Sequence, residues 1–182
     1  MVKNSLDFKA KMNIYLSLIH CHFIYGSIIW ISSLNQKQLN SLKVVQKKAL
    51  RIVYSKKYNA HTSKLFEKSR ITKVENLFEK ESLLLTFKFM NRELPNAVLE
   101  LFDACLTTTS RLTRSMANKD LILESKLKKG NLMFDIIDNW NKAPTSMKEE
   151  SNFYKFKKSI TDKQNQYVAC TVRNCYRCRY DN

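Results

Sequence analysis

Two glycines and two prolines serve all 182 residues, and this scarcity constrains the fold more than any other feature of the chain. Sheet-rich and α/β architectures draw on these residues at tight turns, so the expected fold is mainly α. Ten phenylalanines and eight tyrosines, within a hydrophobic content of 44%, are enough for a packed core. That composition excludes a disordered basic segment as the whole molecule. The length suits one helical domain over residues 1–165, followed by an irregular, basic, cysteine-containing tail over residues 166–182.

Lysine and arginine total 32 against 16 acidic residues, a net charge of +16. Such an excess favours a polyanionic partner, RNA or DNA. The cations are mostly lysine and the chain is rich in Asn and Ile, a mixture that an AT-rich coding sequence also produces. Net charge without a groove-reading element is a weak motif. Five cysteines make no evident disulfide framework, which suits a reducing, intracellular compartment, nucleus and cytoplasm alike.

From Met12 to Gln36 there is no Asp, Glu, Lys or Arg. Three readings compete: a membrane span, a metal site on His20, Cys21 and His22, and a buried helix. About twenty apolar residues cross a bilayer, and Lys3, Lys9 and Lys11 stand where a signal peptide's basic region would be. Against a span, Asn13, Ser17, His20, His22 and Ser27 interrupt the stretch. Against a metal, His20 and His22 are two apart and point in different directions on a helix, while structural zinc needs four converging ligands. Met12, Tyr15, Ile19, Phe23 and Trp30 follow helical spacing. The segment is therefore expected to be a helix buried over most of its surface, with one histidine buried and the other facing a seam. Neither a membrane nor a metal is expected.

Asn35 is placed to cap a second helix over QKQLNSLKVVQKKALRIVYS, in which Leu39, Leu42, Val45, Ala49 and Ile52 recur at three and four. The two helices make a hairpin. Lys47, Lys48, Arg51, Lys56 and Lys57 form the densest basic cluster. It suits a phosphate backbone, which lysine meets as charge without base specificity, and equally a solvated helix end whose dipole favours cations. Further helices are expected to open near Thr62, to run from Glu75 to Glu93 until Pro95 breaks them, and to cover LMFDIIDNWNKAP before Pro144. A last helix begins at a Ser or Asn cap in SNFYKFKKSITDKQ, with Phe153, Phe156 and Ile160 on one side. ELFDACL adds one short turn. DLILESKLKKGN fits an edge strand or a helix end, so a minor strand stays open.

In the tail, Cys175 and Cys178 have C-x-x-C spacing, but no second such pair follows, and Cys170 with distant His61 makes no supported ligand set. Arg173, Arg177 and Arg179 alternate with Tyr176 and Tyr180, an arrangement suited to stacking on single-stranded bases. Metal-dependent polymerisation needs converging carboxylates, and the acidic residues here are scattered with no Asp–Asp pair. Nor is there a Walker sequence, H-E-x-x-H, G-x-S-x-G or glycine-rich fingerprint. No catalytic residue and no cofactor are assigned.

Several blocks, in order, resemble the region downstream of the polymerase active site in reverse transcriptases of non-LTR retrotransposons, the jockey-type or LINE-like elements. SLIHCHFIYGSIIW resembles the family's S-x-I-x-P-x-x-x-Y-G-x-x-x-W block through Ser17, Ile19, Tyr25, Gly26 and Trp30, with Cys21 where proline is usual. LNSLKVVQKKALRIVY follows through Leu42, Gln46, Lys47, Lys48, Ala49, Arg51 and Ile52, then AHTSKLF with His61. A degraded N-T-R-like segment lies at TSRLTRS, and the W-N-x-x-P block is Trp140, Asn141 and Pro144, followed by FYKFKKSI. The resemblance covers roughly residues 12–161 and gives Ser17, Ile19, Tyr25, Gly26, Trp30, Ala49, His61, Trp140, Asn141 and Pro144 a structural role. In the family the catalytic aspartates, fingers and palm lie upstream of this region. The resemblance thus implies a non-catalytic fragment that contacts RNA or an RNA–DNA duplex and packs on an upstream polymerase domain. The rival class is a structural or interaction remnant of a decayed element.

Overall fold

A computed structural model describes residues 6–107 and 118–164, and these are mostly helical. They form two compact units, one drawn from the chain up to Leu77 together with the residues from Thr161, the other from Phe78 to Ile160.

The first unit opens with α1 (Phe8–Tyr15), whose start is fixed by the Asp7 carboxylate accepting from the Ala10 N–H at 2.9 Å. The chain then widens into a π-helical turn, Leu16–His20, and closes again as α2 (Cys21–Ile24). Residues five apart diverge around an α-helix. Across the π turn, Tyr15 and His20 are instead both buried, with rings stacked at 5.7 Å. Gly26 stops the run in the left-handed region at φ +61°, a conformation that favours glycine. α3 (Ser27–Ser32) follows, and the Trp30 indole N–H donates to the Tyr25 carbonyl at 2.8 Å across the break.

α4 (Gln36–Val53) begins with a reciprocal cap: Asn35 Oδ1 accepts from the Gln38 N–H and Gln38 Oε1 accepts from the Asn35 N–H. It runs antiparallel to the first helical run. The Phe8 and Tyr54 rings meet at 5.1 Å, Lys11 Nζ donates to Ser55 Oγ at 3.0 Å, and Phe23 and Trp30 share a core with Leu39 and Leu42. This is the expected hairpin. α5 (Ser63–Ser69) folds back so that Phe66 and Ile71 join Tyr15, Ala49, Leu50 and Val53 in one cluster. Leu50, Val53, Phe66 and Ile71 each contribute about 1.5–3 kcal/mol by leaving water.

The hairpin departs from expectation in which sides it buries. The uncharged stretch is three helical pieces with one face inward, and its other face is open: Leu18 is 65% exposed and Ile29 69%. Val45 and Ile52 are exposed too, because the inward row of α4 is Leu39, Leu42, Gln46, Ala49, Leu50 and Val53, with a polar residue at its centre. His22, expected in a seam, is exposed. Hydrophobic spacing finds apolar sides without saying which has a neighbour.

The second unit contains α6 (Leu77–Met90) from Phe78 onward, α7 (Asn96–Cys105), α8 (Leu132–Asn141), α9 (Thr145–Lys148) and α10 (Phe153–Gln164) up to Ile160. Its core gathers Leu83, Leu84, Phe87, Trp140, Phe156 and Ile160, with the Phe87 and Phe156 rings stacked at 4.5 Å. ELFDACL is the end of the ten-residue α7 and not a single turn. Pro95 supplies a pre-set φ at its start, and Phe102 stacks on Phe89 at 4.5 Å. The segment DLILESKLKKGN is neither an edge strand nor a helix end: Leu123 makes an isolated antiparallel bridge with Leu106. Two hydrogen bonds hold it, Thr107 N–H to the Ile122 carbonyl and Glu124 N–H to the Cys105 carbonyl. No helix among the described residues is long and apolar enough to cross a membrane.

The W-N-x-x-P block builds a corner in this unit. The Trp140 indole N–H donates to the Lys119 carbonyl at 2.9 Å, and Asn141 exchanges two 2.8 Å hydrogen bonds with the backbone of Leu121. Pro144 starts α9, whose Lys148 turns inward, donating to Asp120 Oδ1 and the Asn141 carbonyl.

Glu81 gives this unit a pH dependence. Burial pushes its carboxyl above the usual range, outweighing nearby Lys80, Lys157 and Lys88. A raised folded value means the folded chain holds the proton more tightly, so stability falls as pH rises from the unfolded value through the folded one. Glu81→Gln is therefore expected to be more stable than the parent at neutral pH, with the advantage lost below about pH 4, near the unfolded glutamate value. Urea midpoints at the two pH values check this.

Candidate nucleic-acid interface

Lys43, Lys47 and Arg51 succeed one another at four-residue spacing and so share one row of α4. Where α5 folds back, that row faces the segment around the α5 start and the residues after it. The result is a polar pocket of about 150 Å³ lined by Lys47, Arg51, His61, Thr62, Ser63, Phe66, Lys73 and Glu75. Arg51 is half-buried, and its Nε donates to the Ala60 carbonyl at 2.8 Å, which fixes the guanidinium. Lys73 stands over the Phe66 ring, 5.9 Å from its centroid. The carboxylate of Glu75 is ion-paired with Lys43 at 2.7 Å. Lys47, Arg51 and Lys73 therefore face a carboxylate that a fourth cation already shares.

A water molecule occupies about 30 Å³ of liquid, so 150 Å³ has room for one phosphate-sized anion. Arg and Lys meet such a group through charge-assisted hydrogen bonds.

Of the five clustered cations, the fold brings Lys47 and Arg51 together. Lys48 lies on the next row of α4 and lines a different, apolar groove. Lys56 and Lys57 are exposed in the loop beyond α4, where the Lys56 N–H donates to the Arg51 carbonyl at 2.8 Å. His61, read as structural, is a pocket wall. Ser17 Oγ donates to the Asn13 carbonyl at 2.8 Å, Ile19 packs between two core clusters, Ala49 is buried, and Tyr25 is 86% exposed. Arg173, Tyr176, Arg177, Arg179 and Tyr180, with Cys170, Cys175 and Cys178, lie outside the described residues. So does the whole N-T-R-like segment, residues 109–115.

Thr62, Ser63, Lys73 and Glu75 escaped sequence reasoning. Lys47 and Arg51 were legible as members of the basic cluster, but the wall they face depends on how α5 returns. Of the described residues, no three His, Cys, Asp or Glu side chains are grouped to hold a metal ion. The described residues form a mainly α fold with a small basic recess on its hairpin unit. Comparison with protein-family models, with curated proteins and with solved structures finds no match.

Proposed function

We propose that this chain is a non-catalytic part of a non-LTR retrotransposon reverse transcriptase, and that it contacts the backbone of RNA or an RNA–DNA duplex. One observation carries the reading. Lys47 and Arg51 from one resembled block and His61 from the next line the same phosphate-sized recess, together with Lys73. Lysine and arginine read phosphate as charge and geometry, so the contact positions a strand without selecting sequence.

The test is fluorescence anisotropy of labelled RNA and RNA–DNA duplex over a salt series. Arg51 is left intact because it also ties the backbone at Ala60. Lys47→Glu with Lys73→Glu should weaken both ligands together. If one phosphate sits in the recess, the slope of log affinity against log salt should fall by about 0.7–0.9. Unchanged affinity and slope in the folded variant would reject the proposal.

A second reading, a structural or interaction remnant that once packed on an upstream polymerase domain, draws support from a different observation. Four large apolar side chains of the uncharged stretch, Leu16, Leu18, Ile24 and Ile29, are exposed, and apolar side chains left in water supply material for an interaction surface.

A further inference from the structure

Between α1 and α4 runs a groove of about 680 Å³, walled chiefly by Ile14, Ile19, Val45 and Ile52 and flanked by Lys11 and Lys48. We propose that this groove docks an amphipathic α-helix of another protein, one that carries acidic residues along the edge of its apolar face. The walls are apolar, and three of the side chains are accessible: Ile14 at 43%, Val45 at 50% and Ile52 at 53%.

The occupant follows from charge and extent. Lys11 is held in place, its Nζ donating to Ser55 Oγ at 3.0 Å beyond the C-terminal end of α4. Lys48 rises from the middle of the same wall, so its methylenes can cover apolar surface while the ammonium meets an anion. A second copy of this chain would bring its own cations and a net charge of +16 against them. Val45 and Ile52 stand seven residues, about two helical turns, apart on one wall. That span suits the i, i+3, i+4, i+7 anchors of a helix rather than a single acyl chain.

The test uses the full chain and a fluorescein-labelled 18-residue peptide with leucines at i, i+3, i+4 and i+7 and glutamates flanking them. A scrambled peptide of the same composition controls for charge alone, and a lysine-flanked peptide controls for apolar contact alone. The acidic amphipathic peptide should bind at least ten-fold more tightly than either. Ile52→Glu, at an exposed position and with its fold checked by circular dichroism, should cost ten-fold or more. Lys48→Glu should shift preference toward the lysine-flanked peptide. Equal binding of the acidic and scrambled peptides would overturn the proposal. So would oleate binding at the groove without peptide binding, or concentration-dependent self-association abolished by Ile52→Glu.

Discussion

Replacing Asp120 with alanine should destabilise the protein by about 3–5 kcal/mol, because it strands a buried ammonium without its partner. The Lys148 side chain is 1% exposed and its Nζ donates to Asp120 Oδ1 at 2.5 Å. A second bond, to the Asn141 carbonyl at 3.1 Å, does not neutralise the charge. Removing both charges is a milder change. Asp120→Asn with Lys148→Met keeps the volume and leaves no unpaired ion, so the double variant should be more stable than Asp120→Ala alone. Urea unfolding at unchanged slope measures the order of the variants. An Asp120→Ala loss below about 0.5 kcal/mol, typical of exposed surface positions, would mean that water reaches Lys148.

Gln46 is the second position where a large loss is expected. Its side chain is buried at 1% exposure in the middle of α4, Nε2 donating to the Thr72 carbonyl at 3.0 Å and Oε1 accepting from the Val74 N–H at 2.9 Å. One amide thus ties the hairpin to the segment that returns after α5. Gln46→Ala removes these two bonds and a longer one from Nε2 to the Tyr15 hydroxyl at 3.5 Å, and opens a cavity, so about 2–4 kcal/mol should be lost. Gln46→Met fills most of the space and isolates the polar part. Gln46→Glu keeps an acceptor for Val74 but sets a carboxylate against the Thr72 carbonyl, so it should not rescue. The Val74 amide should lose hydrogen-exchange protection in Gln46→Ala and Gln46→Met. Retained protection in Gln46→Met would show that packing, and not the amide, holds that segment.

The two positions have opposite histories in the sequence. Gln46 was visible as part of a resembled block, but nothing local said that a glutamine there would replace a hydrophobic residue in the inward row. Lys148 resembled one more lysine among many. Its burial depends on Asp120, 28 residues away along the chain, and on the corner built by Trp140 and Asn141.

What the sequence determined by itself was what local chemistry determines. Scarce Gly and Pro implied a mainly helical chain, Asn35 and a Ser or Asn at 151–152 marked helix starts that Asn35 and Asn152 do cap, and Lys47 and Arg51 stood out in the densest basic cluster. Tertiary structure alone decided which faces are covered. It opened the outer side of the Met12–Gln36 stretch and put Val45 and Ile52 beside a groove. It also placed Lys73 and Glu75 opposite Arg51. The reason is physical. Propensity and capping act within a few residues, whereas burial of a face requires a partner whose position is set by the path of the whole chain.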